Sequence, residues 1–265
     1  MGFSCSDVIS SKDKIQPIMI TSTEFPAPLN ILGVPVMPFS SYEHIVGCIC
    51  DRINSNCKTF CAAINPEKVY RAQHDARLKH VLNNVNIGIC DGVGIVLAAK
   101  FLYNRRIMRC TGIGLFRELI RASTKEKWKV FLLGASSQSN KITCQKLMES
   151  FPELQIVGRN DGYFQGSKDI IKNINDSRAD ILFVAMGSPK QEFWLDRHRD
   201  EIDATFCMGV GGTFDIISGG VKQPPRFFLE TGVEWLYRLI TQPYRLKRQI
   251  ALPLFLWLVF KKKMQ

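Results

Sequence analysis

One acidic residue lies where a catalytic base would be needed. Asp91 follows an apolar run at residues 86–90 and precedes a second one at 92–101, whose spacing predicts a helix. A carboxylate at such a strand-to-helix junction opens into a crevice, where it can take a proton from a substrate hydroxyl. An aspartate before a glycine also often caps a helix by accepting hydrogen bonds from its first N–H groups. Position alone leaves both roles open.

A second motif is the sequence Gly-Ser-Pro-Lys-Gln-Glu at residues 187–192, directly after the apolar run 180–186. A proline near the first helical position predicts that a helix begins here, with unpaired N–H groups facing outward. Such a helix start suits a diphosphate or a sugar, although the same composition favours a helix start in any protein. The candidate substrate-binding residues of this motif are Gly187, Lys190, Gln191 and Glu192.

Two shorter segments also follow apolar runs. The stretch Gly-Val-Gly-Gly-Thr could let the backbone approach a phosphate closely, which makes Gly211 and Gly212 candidate binding residues. It is not the GxGxxG fingerprint, and its glycines can also serve only to turn the chain. Arg109, Thr111 and Gly112 precede a further predicted helix, where an arginine can reach an anionic group and a threonine can cap. Capping and substrate binding are equally open there.

The elements that must position these residues follow from the pattern of apolar runs. Short runs alternate with longer segments of helical periodicity, which predicts an α/β protein with a Rossmann-like parallel sheet covered by helices. The six predicted strands are residues 58–65, 86–90, 129–135, 155–158, 180–186 and 204–210. The carboxyl ends of parallel strands line one crevice, and every motif above falls at such an end. The crevice would hold a nucleotide.

Composition fits one main domain. We expect an N-terminal extension at residues 1–28, a core at 29–221 and a C-terminal appendage at 222–265. Nine scattered cysteines without a CxxC pair, and four histidines that form no ligand cluster, predict buried thiols rather than disulfides or zinc. There is no P-loop and no DxD pair at a strand end, so we expect no cofactor and no required metal. The absence of a leader predicts a cytoplasmic protein.

The basic charge is concentrated in the appendage. Of the net charge of +11, about +7 lies between residues 222 and 263. Arg238, Arg245 and Arg248 lie seven and three positions apart among Trp and Tyr residues, a mixture typical of a membrane interface. The apolar run 251–260 is too short to span a hydrocarbon core of roughly 30 Å. We expect an amphipathic helical appendage on an anionic membrane surface rather than on nucleic acid; a packed tail or an oligomer contact is the alternative.

Taken together, the motifs resemble the WecG/TagA/CpsF glycosyltransferases over residues 31–250. In chain order they are Ala-Ile-Asn-Pro-Glu at 63–67, Asp-Gly at 91–92, Thr-Gly at 111–112, Asp-Gly-Tyr-Phe at 161–164, the motifs at 187–192 and 209–213, and Glu-Trp-Leu-Tyr-Arg-Leu at 234–239. The resemblance implies an inverting transferase that moves a sugar from a UDP donor to an undecaprenyl-diphosphate-linked saccharide in surface or exopolysaccharide synthesis. It also implies a peripheral location on the inner face of the cytoplasmic membrane.

The resemblance implies roles for individual residues. Asp91 matches the general base, Asn65 and Gln191 match positions that hold the donor sugar or acceptor, and Arg109 matches a basic residue near the diphosphate. The residues that match basic positions of the family's membrane appendage are Arg238, Arg245 and Arg248.

Within the family, the motifs most resemble the WecG branch, which implies an N-acetylmannosaminuronic acid or N-acetylmannosamine donor. Ala63 stands where many members have threonine, so no role for that hydroxyl carries over. A glucosyl or other hexosyl transferase of the same family is one alternative. A noncatalytic nucleotide-sugar-binding subunit is another, which Asp91 disfavours, and the absent GxGxxG disfavours a dinucleotide oxidoreductase. Whether the chain forms a homo-oligomer is open.

Overall fold

The computed structural model describes residues 24–221 and 250–265, together with the single residues 225, 228 and 237. Two short antiparallel strands come first. Strand β1 (Leu29–Ile31) pairs with β2 (Val34–Val36) through a tight turn. The chain then meets the main sheet, because the N–H of Met37 donates to the carbonyl of Gly88 over 2.8 Å.

The main sheet has six strands, and all of its pairings are parallel. Its strands are β3 (Thr59–Ile64), β4 (Ile87–Cys90), β5 (Lys129–Gly134), β6 (Gln155–Asn160), β7 (Ile181–Ala185) and β8 (Phe206–Gly209). The spatial order is β4-β3-β8-β7-β5-β6. Each strand corresponds to one of the six predicted apolar runs, so the prediction of a parallel α/β sheet is confirmed.

Helices cover both faces of this sheet. The helices are α1 (Tyr42–Asn54), α2 (Pro66–Ala72), α3 (Ala76–Asn83), α4 (Val93–Tyr103), α5 (Gly112–Glu126), α6 (Ser137–Ser150), α7 (Lys168–Asp176), α8 (Lys190–His198), α9 (Thr213–Ser218) and α10 (Ala251–Lys263). Side chains alternate along each strand, so Phe60 and Ile64 join the core under α2, α3, α4, α7, α8 and α10, whereas Cys61 joins the core under α1, α5, α6 and α9.

The C-terminal helix α10 packs on the core helices α2 and α4. Its buried side chains are Ala251, Phe255 and Val259, which recur at every fourth position and therefore lie on one face. The helix is apolar on its other sides as well until Lys261. The packed-tail interpretation is therefore correct for this face, while the outward face stays exposed.

Three predictions from the sequence can be compared with the described residues. Eight cysteines lie in the described part of the chain, and all of them are free thiols; five are buried. No helix among the described residues is both long enough and apolar enough to cross a membrane. Arg238, Arg245 and Arg248, which we predicted to face the membrane, lie outside the described residues.

Candidate functional site

A cavity with a volume of about 380 Å³ opens at the carboxyl edge of the sheet. The ends of β3, β4, β7 and β8 contribute to its walls. Strands β3 and β8 are neighbours in the middle of the sheet, and the helices that follow them, α2 and α9, pack on opposite faces. Such divergence between neighbouring strands opens the crevice in which parallel sheets bind ligands.

Asp91 lines this cavity directly after β4. Its backbone N–H donates to the carbonyl of Ile64 over 2.8 Å, which ties the residue to the neighbouring strand β3. The N-cap residue of α4 is Gly92, with a φ of 99°, and it makes no side-chain cap. Only glycine adopts this φ readily, so it turns the chain between β4 and α4. Asp91 is therefore not the N-cap residue, and its carboxylate borders the cavity.

Asn65 and Thr111 line the cavity as well, and both are helix N-caps. The Asn65 side chain accepts from the N–H of Lys68 over 2.9 Å, and the Thr111 hydroxyl accepts from the N–H of Gly114 over 3.1 Å. The hydroxyl of Tyr42 accepts from the Thr111 N–H over 2.9 Å and fixes this helix start further. The two readings open for Thr111 are therefore compatible, because one residue both caps α5 and borders the cavity.

The motif at residues 187–192 divides between the cavity and the interior. Gly187 and Gln191 line the cavity. Pro189 is the N-cap of α8 and follows a cis peptide bond. Lys190, which we predicted to bind substrate, does not line the cavity; its ammonium group donates to the carbonyl of Gly162 over 3.2 Å. Glu192, two residues further on, does not line the cavity either, because its side chain is buried in the interior.

Glu192 forms a buried ion pair that the sequence analysis missed. The Lys68 ammonium lies 2.7 Å from Oε1 of Glu192 and also donates to the carbonyl of Ala63 over 2.7 Å. Burial alone would raise the pKa of the Glu192 carboxyl, but the Lys68 charge and the hydrogen bonds from Lys68 and Gln191 outweigh it and hold the pKa below its usual value. The sequence contains one indication that Lys68 has an acidic partner: it is a cation in the first turn of α2, where the helix dipole disfavours it.

The glycine stretch after β8 forms another wall, and its members meet different surroundings. A side chain at Gly209 would lie 2.5 Å from Nε2 of Gln191, so that position has no room for one. At Gly211, with a φ of +57°, and at Gly212, a Cβ would meet nothing within 4 Å. Gly209 is therefore required by packing, whereas Gly211 and Gly212 leave backbone open to the cavity.

Charged groups of both signs surround the cavity. Its cationic lining residues in the described part of the chain are Lys68 and Arg109, and its acidic ones are Glu67, Asp91 and Asp215. Gly112 lies close to Asp91, since a Cβ built there would be 4.0 Å from a carboxylate oxygen of Asp91. Within residues 24–221 and 250–265, no group of three or more His, Cys, Asp or Glu side chains could hold a metal ion.

A parallel sheet covered by helices on both faces, with a cavity at its carboxyl edge, defines the Rossmann-like class of α/β proteins, which bind their ligands at that edge. The family model described as the glycosyl transferase WecG/TagA/CpsF family matches residues 29–265, so the chain belongs to this family of enzymes. This confirms the resemblance noted from the motifs.

Two relatives carry the same name, N-acetylglucosaminyldiphosphoundecaprenol N-acetyl-beta-D-mannosaminyltransferase. The one from Bacillus spizizenii is 32% identical over 209 residues, which cover 79% of this chain and 81% of the relative. The one from Bacillus subtilis is 34% identical over 202 residues, which cover 76% and 79%, respectively.

Proposed function

We propose that this glycosyltransferase moves N-acetylmannosamine from a UDP donor to the sugar of a GlcNAc-diphosphate-undecaprenol acceptor, with inversion at the transferred carbon. The observation that carries the proposal is the position of Asp91 at the cavity wall, with a carboxylate oxygen close to Gly112 at the start of α5. The names of the two relatives supply the transferred sugar and the acceptor.

The cavity supports a single displacement. Asp91 takes the proton from the acceptor hydroxyl, the hydroxyl oxygen attacks the anomeric carbon of the donor, and UDP leaves with the electrons of the broken bond. Arg109, the backbone N–H of Gly212 and the backbone N–H groups at the start of α5 supply positive charge for the leaving diphosphate. No metal is needed in this scheme.

The choice of donor sugar rests on the names of the relatives. Both relatives are named as N-acetyl-beta-D-mannosaminyltransferases. We therefore propose N-acetylmannosamine, the sugar named for the relatives, rather than the uronic acid implied by the WecG branch.

An exposed apolar patch beside the cavity supports docking on an anionic membrane. We define the apolar patch as Leu97 and Phe101 of α4 with Trp257 and Phe260 of α10; their exposed fractions lie between 44% and 58%. The rings of Phe101 and Phe260 stack with centroids 6.2 Å apart, which joins the two helices into one surface. Exposed aromatic surface of this kind marks an interaction site.

Basic groups border the apolar patch. Helix α10 ends in three exposed lysines, and the ammonium of Lys261 lies 5.6 Å from the ring centroid of Trp257. Aromatic side chains flanked by lysines match the headgroup region of an anionic bilayer. Leu252, five residues before Trp257, lines the cavity, so a lipid-linked acceptor bound at the patch would have a short path to Asp91.

The catalytic proposal is tested by UDP release from the purified protein, supplied with a short-chain GlcNAc-diphosphate-lipid and a panel of UDP-sugars. We expect acceptor-dependent release with UDP-N-acetylmannosamine and a loss of at least a hundredfold in Asp91→Asn, because general base catalysis contributes about 10²–10⁴ in rate. Preferred release from the uronic acid or from UDP-glucose would overturn the choice of donor. Binding of UDP without release from any donor would favour a noncatalytic subunit.

The docking proposal is tested by sedimentation with vesicles that contain phosphatidylglycerol. The Phe101→Glu/Phe260→Glu variant should lose vesicle binding, whereas Met148→Glu, at an exposed apolar position on α6, should retain it. If the wild type instead forms dimers that the double variant abolishes, and binds no vesicles, the patch is a contact between copies of this chain.

A further inference from the structure

A chain of four hydrogen bonds runs along the cavity wall and links three strand ends. The Lys68 ammonium donates to the carbonyl of Ala63, at the end of β3, and to Oε1 of Glu192, each over 2.7 Å. Nε2 of Gln191 donates to the same Oε1 over 3.0 Å. Oε1 of Gln191 in turn accepts from the backbone N–H of Gly211 over 3.0 Å, in the stretch after β8.

The ionised carboxylate determines which way the Gln191 amide faces. A glutamine carries a donor and an acceptor that are nearly equal in shape, so packing alone does not choose between its two orientations. An ionised carboxylate only accepts, and Glu192 therefore requires the NH₂ group on its side. The amide oxygen must then face Gly211. Gln191 is 2% exposed, so its side chain is largely shielded from water.

Folding stability alone does not account for the pair. Both charges are almost completely removed from water, and apolar side chains of similar volume are often as stabilising in such a position. What apolar side chains cannot do is impose a direction on a neighbouring amide. The charged pair therefore suits a role in holding the wall of the cavity in one arrangement.

We propose that Lys68 and Glu192 are positioning residues, which act through Gln191 to hold the Gly211 segment in the conformation that receives the diphosphate of the UDP-sugar. The assignment of the ligand rests on the proposed function. Neither residue need touch the substrate: Lys68 keeps Glu192 ionised, Glu192 orients Gln191, and Gln191 fixes the peptide N–H of Gly211. The predicted substrate contact of Glu192 is thereby replaced by an indirect role.

The test uses UDP as the probe and the neutral variant Lys68→Met/Glu192→Gln, which keeps the volume of the pair and removes both charges. We expect this variant to fold, to bind UDP at least tenfold more weakly, and to exchange the Gly211 amide hydrogen faster. Lys68→Arg retains the charge and should keep UDP affinity within about threefold of wild type. This is less than the tenfold change that 1.4 kcal/mol would produce. The control Lys172→Met/Asp176→Asn removes an exposed ion pair on α7 and should change neither measurement.

A folded double variant with wild-type UDP affinity and unchanged Gly211 exchange would overturn the proposal. Should that variant not fold, Glu192→Asp supplies the same comparison, because it keeps the charge but withdraws the carboxylate by one methylene. Rapid exchange of the Gly211 amide in the wild type, at the rate of an open backbone amide, would overturn the proposal by itself. Failure of the wild type to bind UDP would refute the proposed function instead, and the exchange measurement would still decide whether the pair orders Gly211.

Discussion

Replacing Lys68 by methionine should destabilise the fold through the charge that is left behind. The side chains of Lys68 and Glu192 are 6% and 1% exposed, so the variant leaves a carboxylate buried without its counter-charge. Breaking a buried pair on one side costs about 3–5 kcal/mol. At roughly 2–4 °C per kcal/mol for a domain of this size, the melting temperature should fall by about 6–20 °C.

The pH dependence of this loss distinguishes charge from packing. In the wild type the pKa of Glu192 is lowered on folding, so its contribution to stability is present above the unfolded pKa of about 4.3 and is lost as the pH falls through the folded value. In Lys68→Met, burial without the ammonium raises that pKa instead. The difference in stability between the two proteins should therefore be largest near pH 7 and shrink as the pH approaches 4.

Urea unfolding followed by circular dichroism at several pH values measures the loss of unfolding free energy and its pH dependence. Lys172→Met is the matched control, because both side chains of the Lys172–Asp176 pair are exposed and its removal should leave the stability almost unchanged. A loss for Lys68→Met that is equally small, or that grows on acidification, would show that the charge of Lys68 does not stabilise the fold.

Three further predictions follow from described contacts. Gly209→Ala should lower stability by about 1–3 kcal/mol in thermal unfolding, because its Cβ would collide with Gln191; Gly212→Ala, where a Cβ meets nothing, is the control. Alkylation of the native protein should modify Cys57, which is exposed, and spare Cys110, since burial raises the pKa of its thiol to about 12; rapid labelling of Cys110 would contradict this. Once donor turnover is established, chelation of divalent metals by EDTA should leave the rate unchanged, and loss of turnover restored by Mg²⁺ would contradict a metal-independent site.

The sheet was predictable because its strands other than the edge strand β6 are buried on both faces. Such strands are continuous apolar runs, so β3 and β7 could be located to within a residue or two without any partner. The β1–β2 pair was not predicted, since each strand has three residues. Its turn also lacks the usual Asn-Gly signal: Leu32 and Gly33 both adopt positive φ, and the Asn30 side chain accepts from the N–H of Gly33.

The cavity-lining residues were predictable where backbone position determines them, but side-chain direction was not. Asp91 and Gly211 follow directly from strand ends. Lys190 and Glu192 belong to the same motif as Gln191. However, Lys190 points to the carbonyl of Gly162, and Glu192 points into the core. The partner of Glu192, Lys68, lies on a different helix, and no local pattern connects the two.

The two faces of helix α10 determine what a truncated form of the enzyme without this helix would expose to solvent. Its outward aromatic residues make it an obvious target for deletion when the protein is poorly behaved in solution. The inward residues Phe255 and Val259 cover apolar side chains of α2 and α4, and Leu252 forms part of the cavity wall. Deletion would thus remove one exposed apolar surface, expose another on α2 and α4, and leave the cavity open on one side. Polar substitutions at Trp257 and Phe260 are the better route to a tractable sample.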